Sequence, residues 1–540
     1  MTDTAQKFDY VIVGSGAAGA ILANRLSAHG ASVCLLEAGP PDNHPFLHIP
    51  AGFIKVIFNP RYAWLFSTEP TDKTNGRSIP IPQGRTLGGS TSINGLVYNR
   101  GQDGDFDHWA QLGNDGWSFK DVLPYFKSME RRIGGDDGYR GRQGELPVSD
   151  IDWIHPICEA FIQGAMQQGM PRTADYNGGP QDGVGYFQRT IHNGWRMSTA
   201  RSFLKPIRGR ANLHIKTHSL ATRILFENKR AVGVRYSHPS GRGPARTVLA
   251  NKEVIVACGA INTPKLLQLS GIGPAALLQE KGIAVVHDLP GVGENLSDHY
   301  SVRVVAKVKG EKTLNELARG LNLGAQVLNW MRKKPSIMAL SPSLVHWFWK
   351  SQPHLDCADL QGVFTPASYK EGYVGRLDNF SGMTAGVWQH RPLSRGYVRI
   401  QSSDPFESPI VQPNYLEHPD DQRTLVNGIK LARKLLRADA LKPYFEKETL
   451  PGDMCQSEDE LFDFARRFGV SSYHVNGTAH MGPPSDKRAV VDQELRVYGL
   501  QNLRIVDSSV MPSIPSANVC ASTMMIGNRA GDLILGKRHS

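Results

Sequence analysis

Two distant stretches of the chain carry residue types that could do chemistry together. Near the N-terminus an apolar run, Tyr10-Val-Ile-Val-Gly14-Ser15-Gly16-Ala-Ala-Gly19, passes into a helical pattern, and Glu37 closes the next apolar run, Ser32-Val-Cys-Leu-Leu-Glu37. Gly14 permits a tight turn, Gly16 lets a pyrophosphate approach the backbone, and Gly19 lets helix and strand pack closely. The helix start offers free N–H groups and partial positive charge to phosphates. Glu37 can accept from both ribose hydroxyls and disfavours a 2′-phosphate. Near the C-terminus, His474 and Asn518 supply a second kind of chemistry, with Asn518 standing just before an apolar helical pattern. Neutral imidazole suits a general base near physiological pH. A base placed over the reactive ring of a dinucleotide makes a redox enzyme the economical reading.

The elements that must position these groups are legible in outline. Ile21, Leu22 and Leu26 give the first helix an apolar stripe. Glu253 to Ala257 reads as a buried strand running into Cys258-Gly259-Ala260, and Ile261 to Ser270 as the helix that follows, with Pro264 near its first turn and Gly271 as its cap. Leu503 to Val506 reads as another buried strand. Its end, Asp507-Ser508, belongs where the carboxyl ends of parallel strands meet a cofactor. Cys520 to Leu535 is the closing helix, and Asn518 is also placed where an ordinary N-cap would be. Gly84 to Ser92 is too rich in glycine and hydroxyl groups for a helix interior and suits a backbone laid against a flat polar ligand. After His299 the strands become aromatic, as in Leu344 to Trp349 and Met383 to His390. That change marks a second, mainly antiparallel unit supplying a pocket wall.

Composition narrows the alternatives. A chain of 540 residues is expected to form two intimately packed domains. The net charge is +11, but basic clusters such as Arg131-Arg132 and Arg332-Lys333-Lys334 read as solvated faces, and no basic stripe interleaved with aromatic residues points to nucleic acid. Net basicity does suit an anionic membrane surface. Cys34, Cys158, Cys258, Cys357, Cys455 and Cys520 are scattered, so neither zinc nor a redox dithiol is expected. The first strand begins at about Phe8, and no apolar run approaches the ~18 residues of a spanning helix. A cytoplasmic protein, at most peripheral on the inner membrane, is the expectation.

The motifs also carry a resemblance. Gly84-Arg-Thr-Leu-Gly-Gly-Ser-Thr-Ser-Ile-Asn94, Gly259 to Gly273, Arg391-Pro-Leu-Ser-Arg395-Gly396 and Asn414-Tyr415-Leu416 stand in the order found in the glucose-methanol-choline oxidoreductases, which the chain resembles over nearly its whole length. The resemblance is nearest to bacterial choline-dehydrogenase-like alcohol dehydrogenases and hydroxymethylfurfural-type oxidases. It implies an α/β and α+β fold: a Rossmann-like FAD-binding domain (1–155, 206–300 and 466–540) interleaved with a substrate domain on a mainly antiparallel sheet with helices (156–205 and 301–465). It implies FAD, held by Gly14, Ser15, Gly16, Gly19, Glu37, Ala38, Trp64, Arg85, Gly88, Gly89, Asn94, Gly95, Leu96, Val97, Ala221, Gly259, Tyr473, Asp507, Ser508 and Val519. Members with a covalent flavin carry histidine where this chain has Ile93, so a dissociable FAD is expected. His474 takes the place of the catalytic histidine, and Asn518 the second active-site position.

The expected reaction is oxidation of an aliphatic or aryl primary alcohol to the aldehyde, with electrons passing to a quinone or another acceptor. An oxidase using dioxygen, a polyol or sugar dehydrogenase and an FAD-dependent hydroxynitrile lyase are the alternatives. His346, Trp347, Trp388, Ser472 and Tyr473 are the candidate pocket residues. His480 is read as a surface or supporting residue, with no metal expected, and the assembly as a monomer or homodimer.

Overall fold

The computed structural model describes residues 5–370 and 376–537. Its first sheet has seven strands in the order Leu213–Lys216, Val33–Leu36, Gln6–Val13, Arg246–Val256, Arg230–Ser237, Leu220–Glu227, with Leu503–Ile505 also pairing beside Arg246–Val256. The pairs on the first-strand side and with Leu503–Ile505 are parallel, and the two involving Arg230–Ser237 are antiparallel. Val13, Leu36, Val256 and Ile505 therefore end at one edge, where a parallel sheet opens to ligands. Val11, Ile12, Cys34, Leu35, Val254 and Ile255 are fully buried, as strands covered on both faces require. The closing helix, Cys520–Leu535, packs against the first helix, Gly19–Ala28, and completes this core.

The second sheet runs Phe445–Leu450, Tyr300–Val308, Gly382–Gln389, Leu360–Thr365, Val345–Trp349, Gly183–Tyr186, with every neighbouring pair antiparallel. Its alternation is clean. Val302, Val304, Ala306, Met383, Ala385 and Val387 point into a core beneath the helices Pro156–Gln167 and Pro419–Leu436. Ser301, Arg303, Thr384, Gly386 and Trp388 point the other way, into a cavity.

Three local expectations need correction. The strand expected from Glu253 extends from Arg246, because its first half pairs with Arg230–Ser237 on one side and with Gln6–Phe8 on the other, ahead of the apolar run that continues beside Tyr10–Val13. Pro264 lies at the sixth position of the helix Gly259–Leu269, not near its first turn. Proline there leaves the Ala260 carbonyl without its helical donor, and the Thr478 hydroxyl donates to that carbonyl at 2.6 Å. Arg132 is not on a solvated face: it is buried and paired with Asp150 at 2.7 Å.

Candidate active site

The glycines of the first turn divide their work as their contacts dictate. A Cβ on Gly14 would lie 2.3 Å from the Ala257 carbonyl oxygen, and one on Gly19 would lie 1.9 Å from that of Gly14. Both are needed for strand and helix to touch. Gly16 has no protein atom within 4 Å of a Cβ position and lines the cavity, so its missing side chain leaves room for a ligand. Gly259, with φ of 82°, is open in the same way. Gly89 closes over this turn, since its Cβ would come 2.8 Å from the Gly16 Cα. The buried Glu37 carboxylate accepts from the Ser15 N–H at 3.1 Å, the Ser15 hydroxyl at 2.6 Å and the Gly39 N–H at 2.8 Å, and burial raises its pKa.

A single cavity of about 400 Å³ runs from this turn to the second sheet. Ser15, Ala38, Trp64, Asn94, Gly95, Leu96, Val97, Ala221, Tyr473, Ser508 and Val519 line it. Gly19, Gly88 and Arg85 stand behind the lining; the Arg85 guanidinium lies 4.6 Å over the Trp64 ring. Asp507 reaches the cavity, but its carboxylate already accepts from the Gly259 N–H at 2.9 Å, the Thr263 hydroxyl at 2.6 Å and the Ser509 N–H at 2.8 Å. It ties a helix start to the end of the Leu503–Ile505 strand. The Ile93 side chain is buried against Leu47, Val56 and Ile57 at the cavity wall.

At the far end His474 and Asn518 meet, with Asn518 Nδ2 3.0 Å from His474 Nε2. Asn518 is not a cap. The closing helix starts two residues later without a side-chain cap, and Asn518 Oδ1 accepts from Gln361 Nε2 at 3.2 Å. Tyr473 holds a left-handed φ of 64°, where the chain turns to bring His474 to the cavity wall.

Behind His474 stands His299, which no sequence motif singles out. His299 Nδ1 lies 2.9 Å from His474 Nδ1, and His299 Nε2 lies 2.7 Å from the His390 carbonyl oxygen. A carbonyl only accepts, so His299 Nε2 carries the proton and its Nδ1 presents a lone pair. His474 Nδ1–H must then donate to His299, which leaves the lone pair of His474 on Nε2, facing Asn518 and the cavity. Asp298 fixes both histidines through backbone, its Oδ1 accepting from the N–H of His474 at 2.7 Å and of His299 at 2.9 Å. Burial pushes the Asp298 pKa up to about 6, against donors that include Tyr415 and Ser471, so it is a carboxylate at neutral pH. Burial, with His299 adding to it, holds His474 well below the usual histidine range, and burial drops His299 to about 4. Both imidazoles are neutral at pH 7. The signal for His299 was present in the sequence as Asp298-His299 at the head of a strand, but it was read only as a change of domain.

The pocket residues divide. Trp388 lines the cavity with its ring 6.0 Å from that of His474, and Ser472 and Tyr473 line it too. The Trp388 Nε1 and Ser472 Oγ atoms are buried without a protein partner and remain open to a ligand. His346 and Trp347 do not reach the cavity. Trp347 points to the opposite face of its strand, into the second core over Gly362. His346 is on the site-facing side but is covered by Tyr176 and Phe187, at ring separations of 4.5 and 5.4 Å. Arg303 and Tyr369 take their place in the wall, with the guanidinium 5.6 Å over the tyrosine ring. Among the described residues no group of side chains is arranged to hold a metal, and His480 is paired with Asp486 at 2.9 Å.

Two family models, both described as GMC oxidoreductase, match residues 8–301 and 392–527. The chain belongs to the GMC oxidoreductase family. It is 39% identical over 536 residues to an alcohol dehydrogenase [acceptor] of Pseudomonas putida, covering 98% of this chain and 96% of that protein. It is 41% identical over 534 residues to an oxygen-dependent choline dehydrogenase of Brucella anthropi, with the same coverage. Among solved structures, pyridoxine 4-oxidase from Mesorbium loti superposes with a TM-score of 0.89 at 29% identity, covering 98% of this chain and 100% of that one. As a GMC oxidoreductase the chain has the FAD-binding fold of its relatives, and its cavity fits that cofactor: an open glycine cradle at Gly16 and Gly259 and a buried acid at Glu37, with the His474–Asn518 pair at the opposite end.

Proposed function

We propose that this GMC oxidoreductase oxidises a primary alcohol, aliphatic or aryl, to its aldehyde. The observation that carries the reading is the His474 Nε2 lone pair, fixed by His299 and aimed at the Asn518 amide across the cavity end. FAD, when bound, supplies the acceptor for the hydride that leaves the alcohol carbon. Gly14, Gly16, Gly89 and Glu37 would hold its pyrophosphate and adenosine side, and Asn94 to Val97 and Ser508 its ring side. His474 Nε2 takes the hydroxyl proton. Asn518 Nδ2 donates to the same oxygen, stabilising the alkoxide as it forms and orienting the carbon beside it. Trp388, Tyr473 and Tyr369 exclude water from that corner.

Substrate charge follows from the wall. Among the described residues the only carboxylates lining the cavity are Glu37 and Asp507, both bonded at the cofactor end, while Arg303 faces the cavity over the Tyr369 ring. Among the described residues a quaternary ammonium such as choline would meet a cation and no anion. A neutral or electron-rich alcohol fits better. Ile93 cannot form a histidyl bond to flavin, so the cofactor dissociates, and electrons leave to a quinone or similar acceptor. Aldehyde formation from a panel of primary alcohols with a quinone analogue, with hydrogen peroxide followed in parallel, tests the reading. Peroxide in place of acceptor reduction would make it an oxidase, and turnover of choline above that of benzyl or alkyl alcohols would overturn the substrate class.

A further inference from the structure

The helix Gly320–Met331 is apolar on both faces, yet none of its residues is buried. Leu323, Val327 and Trp330 turn inward at helical spacing; Leu323 packs on the second core, and Trp330 stacks edge-on to Trp195 at 4.7 Å while its Nε1 donates to the Gly194 carbonyl. Ser336 and Ile337 close the inner side through bonds to Gln326. The opposite face holds Leu321, Gly324, Ala325, Leu328 and Met331, with Leu321 95% exposed and Met331 69% exposed. Asn322, Gln326 and Asn329 separate the two apolar stripes on one side, and an exposed apolar stripe of this kind is the mark of a surface that meets a partner or a membrane. Arg332, Lys333 and Lys334 follow it, all exposed and without an acidic partner among the described residues. No acidic residue occurs from Leu317 to Leu355.

We infer that this helix and the three cations after it form a docking surface for an anionic lipid bilayer. Apolar side chains enter the acyl boundary while cations meet the headgroups, the arrangement of interfacial helices. A second copy of the chain is a poor occupant. Twelve residues of helix are about 18 Å long, so one face offers roughly 200 Å², against the ~800 Å² per partner of a stable interface, and a second copy brings the same unpaired cations. The surface is continuous with the cavity mouth. The turn Ile337–Ala339 packs beneath the helix and against Pro50–Gly52. Past these segments the chain supplies Pro342 and Ser343 on one side and Phe53 and Ile57 on the other, all lining the cavity. Docking here brings a lipophilic acceptor or alcohol to the entrance. Only that purpose rests on the proposed reaction, because binding is measured without turnover.

The test is co-sedimentation of the holoenzyme with vesicles of phosphatidylglycerol and phosphatidylcholine, beside vesicles of phosphatidylcholine alone. Wild type is compared with Leu321→Glu/Leu328→Glu and with Arg332→Glu/Lys333→Glu/Lys334→Glu. Thermal melting and turnover with a soluble acceptor verify that both variants are folded. The expected result is binding to the anionic vesicles only, lowered at least about 10-fold by the leucine variant and on the order of 100-fold by the charge variant, since each cation near such a surface is worth roughly five-fold. Absence of binding, or binding equal in folded variants and wild type, overturns the inference. So does a wild-type dimer by light scattering that the leucine variant makes monomeric, which would assign the face to a second copy. Loss of vesicle binding with turnover intact would leave the proposed reaction standing.

Discussion

Among the described residues His299 alone accepts the proton on Nδ1 of His474, and His299→Leu removes that acceptor. In wild type the His299 Nε2–H donates to the His390 carbonyl at 2.7 Å and its Nδ1 accepts from His474 at 2.9 Å. Leucine leaves the buried His474 Nδ1–H without an acceptor, which costs about 1–3 kcal/mol. The imidazole escapes that cost by moving its proton to Nε2, where it meets the Asn518 amide N–H and can no longer accept from substrate. At about 1.4 kcal/mol per tenfold in rate, the rate of anaerobic flavin reduction falls roughly 10- to 100-fold, with substrate affinity little changed. His299→Gln keeps an acceptor and a donor on one side chain, so it recovers most of the loss. Stopped-flow reduction at saturating alcohol, with flavin content and melting temperature as controls, reads the effect. A folded, flavin-loaded His299→Leu enzyme that reduces within about two-fold of wild type would refute the tautomer argument.

Three further outcomes follow from separate contacts. Gly16→Ala puts a Cβ where no protein atom lies within 4 Å and should fold with a near-native melting curve yet purify with depleted flavin, whereas Gly14→Ala, 2.3 Å from the Ala257 carbonyl, should lose stability as well; absorbance at the flavin band and thermal melting separate the two. Thr478→Val strips the Ala260 carbonyl of its donor and should destabilise by about 1–2 kcal/mol, measured as a lowered denaturation midpoint. Stability should fall from pH 7 to pH 5, because burial lowers His299 to about 4 and His346 to about 3 while the unfolded chain takes up protons below about 6.5. Each histidine then contributes a loss of about 2 kcal/mol at pH 5, and His474 and His390 act in the same direction. Asp298, raised to about 6, takes up its proton at higher pH folded than unfolded and returns about 1 kcal/mol as pH falls, and Glu37 and Asp507, also raised by burial, act in the same direction as Asp298. A melting temperature that rises from pH 7 to pH 5 would contradict this balance.

What the sequence made legible was local. The strand-glycine-helix turn and the closing helix Cys520–Leu535 were readable because turn chemistry and helical spacing are properties of neighbours in the chain. Errors arose where a distant residue decides the outcome. Pro264 looked like a helix start because the Thr478 hydroxyl that replaces its missing N–H is more than two hundred residues away. Trp347 and His346 looked like pocket residues because aromatic composition does not say which face of a strand is covered, and Tyr176 and Phe187 settle that for His346. Asn518 could be either an N-cap or a partner of the base, and only the contacts with Gln361 and His474 decide. His299 went unrecognised because its importance lies in a contact 175 positions away.

The most direct test of the account is an anaerobic titration of the flavin-loaded enzyme with a primary alcohol, comparing wild type with His474→Ala. The account predicts loss of the oxidised flavin band in wild type with one aldehyde formed per flavin, and reduction slowed by several orders of magnitude in the variant. A wild-type flavin that stays oxidised while alcohol is bound, or a His474→Ala flavin that bleaches at the wild-type rate, would contradict it.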